Sequence, residues 1–228
     1  NNATESVENT YSMSFDNNSE YVSSNLNSTL SPQTATWMGW FYFDDLSLPN
    51  GMIAQNNGYN TNGYYINTAN PYGTYTSVYL STPIGNTNQN AQTWTNENAI
   101  TTNQWHHIAI SLSDGIASIY VDGVYNVAGN NFDYATQYFN PGINSHYIEA
   151  STADFLIGIG TDFWGSVTQV MNGNIDNISV WDIALSAEEI QQYINCSPTG
   201  IEEGLIGYWN FEEGVNEGQV LDLSGNGN

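Results

Sequence analysis

The chain has 228 residues, enough for one large domain that buries most of the surface its unfolded form exposes. It carries 23 Asp and Glu, no Lys or Arg, and a formal charge of -23. Phosphates and anionic headgroups need cationic side chains, so nucleic-acid partners and direct membrane contact are excluded. An apolar content of 40%, rich in Trp and Tyr, argues against disorder.

Residues 1–10 lack the charged and apolar regions of a signal peptide, so the chain reads as mature, with any targeting signal outside it. Tyr11, Met13 and Phe15 alternate with serines and predict a first strand. Residues 37–43 predict an aromatic strand bounded by Asp44-Asp45. Further strands are predicted over 63–67, 75–80, 105–112, 116–121, 153–159, 174–181 and 205–211. Ser113-Asp114-Gly115 and Asp122-Gly123 have the composition of tight hairpin turns. One helix is predicted over 186–195, with Ser186 and Glu189 as its capping box and Ile190, Tyr193 and Ile194 as its apolar stripe. One helix among many short strands indicates an all-β antiparallel sandwich or barrel. A single domain is expected, with its core over about 11–211 and a tail, 212–228, leading to a further unit outside the chain.

Without Lys or Arg, a buried carboxylate must accept backbone N–H bonds, bind a metal or stay protonated. Calcium is the expected cofactor, because it takes several oxygen ligands and the chain is rich in Asp, Asn and Glu. Asp176, predicted to share a face with Ile178 and Val180, is either hydrogen-bonded or a calcium ligand. His106 and His107 are strand neighbours on opposite faces, cannot chelate one ion together, and read as structural. His146 falls in a predicted loop with no partner signal. Cys196 is the single cysteine, so no disulfide closes within the chain. It is either buried or paired outside the chain.

Four segments follow one another in a characteristic order: Trp105-His106-His107-Ile108-Ala109, Ile119-Tyr120-Val121-Asp122-Gly123, residues 173–181 and residues 184–190. Together with Ser14-Phe15-Asp16-Asn17, this set resembles the LamG-like, concanavalin A-like lectin/glucanase domain. The resemblance implies a two-sheet jelly-roll β-sandwich. Residues 196–228 look like versions found in secreted, multi-domain surface proteins of Bacteroidetes type, which implies an extracellular, cell-surface location. Related jelly rolls carry calcium between the first strand and a late one, which would bring Asp16 near Asp176. A fainter likeness to pentraxins adds Asn56, Asn57 and Asp162 as calcium ligands, although Gly160 stands where an acidic residue is expected. Tyr59, Phe163 and Trp164, with Asn56, Asn57 and Asp162, form a candidate ligand-binding loop set that could stack on a sugar ring.

No alternating carboxylate run, nucleophile elbow, phosphate loop or zinc spacing occurs, so no catalytic residue is assigned. The expected function is a non-enzymatic, calcium-dependent binding or adhesion module for an extracellular glycan or surface protein. The alternative is a structural spacer or filament subunit contacting neighbouring domains or copies of itself. A glycoside hydrolase ranks third.

Overall fold

The computed structural model describes residues 10–16, 20–26, 30, 33–56, 63–69, 75–83, 90–130, 145–148, 151, 153–161, 167–213 and 218–228. Its strands are β1 (Met13–Asp16), β2 (Val22–Ser24), β3 (Ala35–Phe43), β4 (Gly51–Asn56), β5 (Gly63–Ala69), β6 (Ser77–Pro83), β7 (Asn90–Trp94) and β8 (Trp105–Ser113). They continue as β9 (Ile116–Val121), β10 (Val124–Tyr125), β11 (Gly129–Asn130), β12 (Phe155–Ile157), β13 (Ile159–Thr161), β14 (Val167–Val170), β15 (Asn172–Trp181) and β16 (Leu205–Trp209). The helix α1 (Ala187–Asn195) lies between the last two strands.

The strands form two seven-stranded antiparallel sheets and one small hairpin. The first sheet runs β1-β15-β3-β8-β9-β10, with β16 also paired to β15, and the second runs β11-β7-β6-β5-β4-β12-β2. This is the expected jelly-roll sandwich. The aromatic strand β3 shows why it closes: Trp37, Phe41 and Phe43 point into the core, while Met38, Trp40 and Tyr42 occupy the other side. Across the core, the Trp37 and Tyr64 rings meet at 4.6 Å and Phe155 stacks on Trp209 at 5.1 Å.

The first sheet is also covered on part of its outer face. Met38, Ala109, Trp181, Leu185, Ile190 and Tyr208 form a second apolar cluster there, beneath α1. Its capping box is as the sequence predicts: Glu189 N–H donates to Ser186 Oγ at 3.2 Å, and Ser186 N–H donates to the Glu189 carboxylate at 2.7 Å. Both predicted hairpin turns form, with Asp114-Gly115 and Asp122-Gly123 each left-handed at both positions.

Two strands break the simple alternation. The predicted strand 153–159 is cut at Gly158 (φ 84°) into β12, in the second sheet, and β13, which among the described residues pairs only with β14. In β15 the register shifts between Asp176 and Ser179, and Asn177 takes φ 50°. This β-bulge lets Ile175 and Ile178 both face the core. Asp176 therefore does not share a face with Ile178 and Val180, as strict alternation would require. It lies on the outer side opposite Trp40. Tyr208 Oη donates to Asn177 Oδ1 at 2.7 Å and fastens the bulge to β16.

The C-terminal segment folds back on β16. Leu223 N–H donates to the Tyr208 carbonyl at 2.7 Å, and the Asp222 carboxylate accepts from the N–H groups of Tyr208, Ser224 and Asn228. Partial burial opposes charge on Asp222, but these backbone donors outweigh it and hold the carboxyl below its usual range.

Candidate functional site

Most of the predicted loop set, namely Asn57, Tyr59, Asp162, Phe163 and Trp164, lies outside the described residues. Asn56 ends β4 in register with Gly63. Asp16 pairs with Asn172 at one end of β15, while Asp176 lies four residues along that strand, about 13 Å away at strand spacing. The structure therefore does not bring Asp16 and Asp176 together. Among the described residues, no group of three His, Cys, Asp or Glu converges on a point that could hold a metal ion.

The histidines are buried supports. His106 Nε2 accepts from the Thr101 N–H at 3.1 Å, which leaves Nδ1 to donate to Asp122 Oδ2 at 2.9 Å. The other Asp122 oxygen accepts the His107 N–H at 2.9 Å, so one carboxylate ties the β9–β10 turn to the start of β8. Asp122→Ala is expected to cost about 1–3 kcal/mol by leaving both donors unmet, measurable as a lower urea midpoint. His107 lies edge-on to Trp40 at 5.2 Å, and burial pushes its pKa down to about 4 despite the attraction of Asp122. His146, which the sequence leaves without a partner, is fully buried between the Thr82 and Thr93 hydroxyls at 3.0 and 2.9 Å. Burial lowers its pKa to about 3.

Several glutamates are also committed to the backbone. Glu212 accepts from the N–H groups of Thr10 and Tyr11, and Glu213 from that of Leu221. Glu202 accepts from Thr199, Gly200 and Ile201, and Glu189 caps α1. Backbone N–H groups thus give these carboxylates the donors that lysine or arginine supplies in other proteins.

A surface that the sequence did not single out is the outer face of the second sheet. Strand pairing aligns it in two rows, Ala54–Tyr65–Ser81–Gln92 and Gly51–Asn67–Tyr79–Trp94. Tyr65 and Tyr79 meet edge to face at 5.7 Å. Asn90 Nδ2 donates to Tyr65 Oη at 2.7 Å, and Asn67 Nδ2 donates to Gln169 Oε1. Tyr79, Gln92, Trp94 and Gln169 are half-buried, whereas Ala54, Tyr65, Asn67 and Ser81 are fully buried. The part of this face open to solvent is therefore centred on Tyr79, Gln92 and Trp94, and neither row carries a charged group.

The β13–β14 hairpin closes one end of the rows. A Cβ on Gly51 would come within 2.0 Å of Gly160 N and 2.1 Å of the Gln169 carbonyl oxygen, so the hairpin backbone rests directly on β4. The alternating Tyr65/Asn67, Tyr79/Ser81 and Gln92/Trp94 pattern could have revealed this surface. Without the register, however, nothing indicates that these three pairs adjoin.

Residues 16–191 match the family described as the concanavalin A-like lectin/glucanases superfamily. No curated protein matches the sequence. Among solved structures, a Bacteroides ovatus protein assigned to carbohydrate binding superposes with a TM-score of 0.65 at 17% identity, over 94% of this chain. This chain spans 56% of that protein's length. The SAP-like pentraxin of Limulus polyphemus superposes with a TM-score of 0.55 at 18% identity, over 92% of this chain and 89% of its own. The CBM40 of the Ruminococcus gnavus IT-sialidase, bound to α2,3 sialyllactose, gives 0.54 at 12% identity, over 80% of this chain and 96% of its own.

Proposed function

Because the chain belongs to the concanavalin A-like lectin/glucanase superfamily, we propose that it is a non-catalytic, extracellular module that binds a neutral glycan on the outer face of its second sheet. The observation that carries this reading is the uncharged, half-buried patch of Tyr79, Gln92 and Trp94, with Asn90 beside it, backed by the buried Tyr65 and Asn67. Sugar rings offer apolar C–H faces to aromatics and hydroxyls to amides, which is the chemistry these rows present.

The charge balance narrows the ligand. A sialic acid or uronate carboxylate is favoured by a cationic partner, and this chain has no Lys or Arg and a formal charge of -23 that repels anions. Sialyllactose, the ligand of the R. gnavus domain, is therefore not expected to bind here. A panel of neutral and anionic polysaccharides tests the reading, with binding expected only among the neutral ones. Trp94→Ala should weaken the best ligand at least tenfold, about 1.4 kcal/mol, with the fold retained. Binding that Trp94→Ala and Tyr79→Ala both leave intact would move the site elsewhere.

Calcium belongs to the same proposal, with Asn56, Asn57 and Asp162 as its expected ligands. Unfolding in millimolar calcium, compared with magnesium at equal ionic strength and with EDTA, separates a bound ion from charge screening. A specific site at a hundred times its Kd adds about 2.7 kcal/mol and raises Tm by several degrees in calcium alone.

A further inference from the structure

We propose that the cleft between the end strands β1 and β2 of the two sheets is a second binding site, which takes the end of a neutral saccharide. A cavity of about 980 Å³ lies there, walled by residues 11–15 on one side and 20–24 on the other, with Trp209 and Phe211 also lining it. β2 is five strand spacings from β7 in the second sheet, roughly 24 Å. The cleft is therefore separate from the Tyr79–Trp94 face, and its occupancy does not depend on that reading.

One buried hydroxyl points to a ligand. Ser24 is 8% exposed, and its Oγ has no hydrogen-bond partner among the described residues. Alternation along β2 places it on the side of Val22, which packs against the core, whereas Ser23 turns outward and donates to Asp154 Oδ2 at 3.0 Å. A hydroxyl withdrawn from water costs stability until something bonds it, and a cavity of this size has room for the partner.

The lining selects the ligand class. Tyr11 and Tyr21 are 50% and 53% exposed, and offer two phenol faces to the C–H side of a sugar ring. Serine hydroxyls, the Gln219 amide and the carboxylates of Glu20 and Glu213 are groups that bond sugar hydroxyls. Glu20, Glu213 and Asp222, in a chain without Lys or Arg, turn away an anionic ligand. Each of the three already accepts a backbone N–H, from Asp16, Leu221 and Tyr208 respectively, so they do not call for a cation. Nor does the cleft invite an added peptide strand. Glu212 accepts the N–H groups of Thr10 and Tyr11, and Glu20 that of Asp16, so both ends of the β1 edge are taken. A neutral sugar meets the rings and the hydroxyls together.

The test is isothermal titration of the whole chain carrying Trp94→Ala, which weakens the sheet face, with cellobiose, maltose, lactose and xylobiose. Glycerol and glucuronate serve as controls. Saturable millimolar binding of at least one disaccharide, and of neither control, is expected. Adding Tyr21→Ala, an exposed position, should weaken that binding roughly tenfold. Adding Ser24→Ala should weaken it several-fold and leave the urea midpoint no lower, because no described residue bonds the hydroxyl. No saturation with any of the four sugars, equal binding of a control, or full binding after Tyr21→Ala overturns the proposal. So does a Ser24→Ala variant that loses stability and keeps its binding. Because Trp94 is already replaced, failure here leaves the sheet-face reading untouched.

Discussion

Acidification from pH 7 to pH 5 is expected to destabilise the folded chain by up to about 4 kcal/mol, through His107 and His146. Both rings are buried, with pKa values pushed down to about 4 and about 3 from the ordinary 6.5. Below pH 6.5 the unfolded chain takes up a proton at each ring and the folded chain does not, so stability falls as pH falls. By pH 5 each ring accounts for about 2 kcal/mol. The window matters because the 23 carboxylates stay largely ionised above pH 5. Relief of their mutual repulsion therefore begins only below it. Urea unfolding at pH 7, 6 and 5 measures the slope, and His146→Gln should remove about half of it. A flat profile would mean that water reaches these rings.

Trp37→Ala should cost about 3–5 kcal/mol, a large part of the 5–15 kcal/mol that holds a typical domain together. The indole is 1% exposed and spans the space between the sheets to reach Tyr64. No flexible neighbour can close that gap, because β3 is the central contributor to the first sheet, paired to β15 on one side and β8 on the other. A lowered urea midpoint with an unchanged m-value is the expected signature. A midpoint within experimental error of the parent would show that the sandwich closes without this contact.

The parts of the fold that were legible in the sequence are those with strong local chemistry. The aromatic run 37–43, the turn pairs Asp114-Gly115 and Asp122-Gly123, and the Ser186/Glu189 cap were all readable, because each has a short-range physical cause. β2, β10, β11 and β14 were not, since two to four residues show no period and their pairing is decided by distant strands. β4 and β7 carry amides where a strand reading expects apolar residues. The face of Asp176 was misread for a related reason. A bulge is one inserted residue, and period-two counting cannot detect it. The partners of His146 lie 64 and 53 residues away in β6 and β7, beyond any local signal. The candidate glycan surface escaped notice in the same way, because it is a property of three strands in register.

The close approach of Gly51 to the β13–β14 hairpin bears on how this surface can change over time. With backbone seated on backbone, a side chain at Gly51 would lift the hairpin off the sheet, and one at Gly160 would strike the Asn67 amide at 2.1 Å. That end of the rows is closed to point substitution. Gln92 and Trp94 lie at the opposite end, on β7, where both are half-buried and the Trp94 ring lies over Gly129 of the two-residue β11, so neither seats backbone on backbone. Single substitutions can therefore reshape this face at the β7 end, while the hairpin end stays fixed.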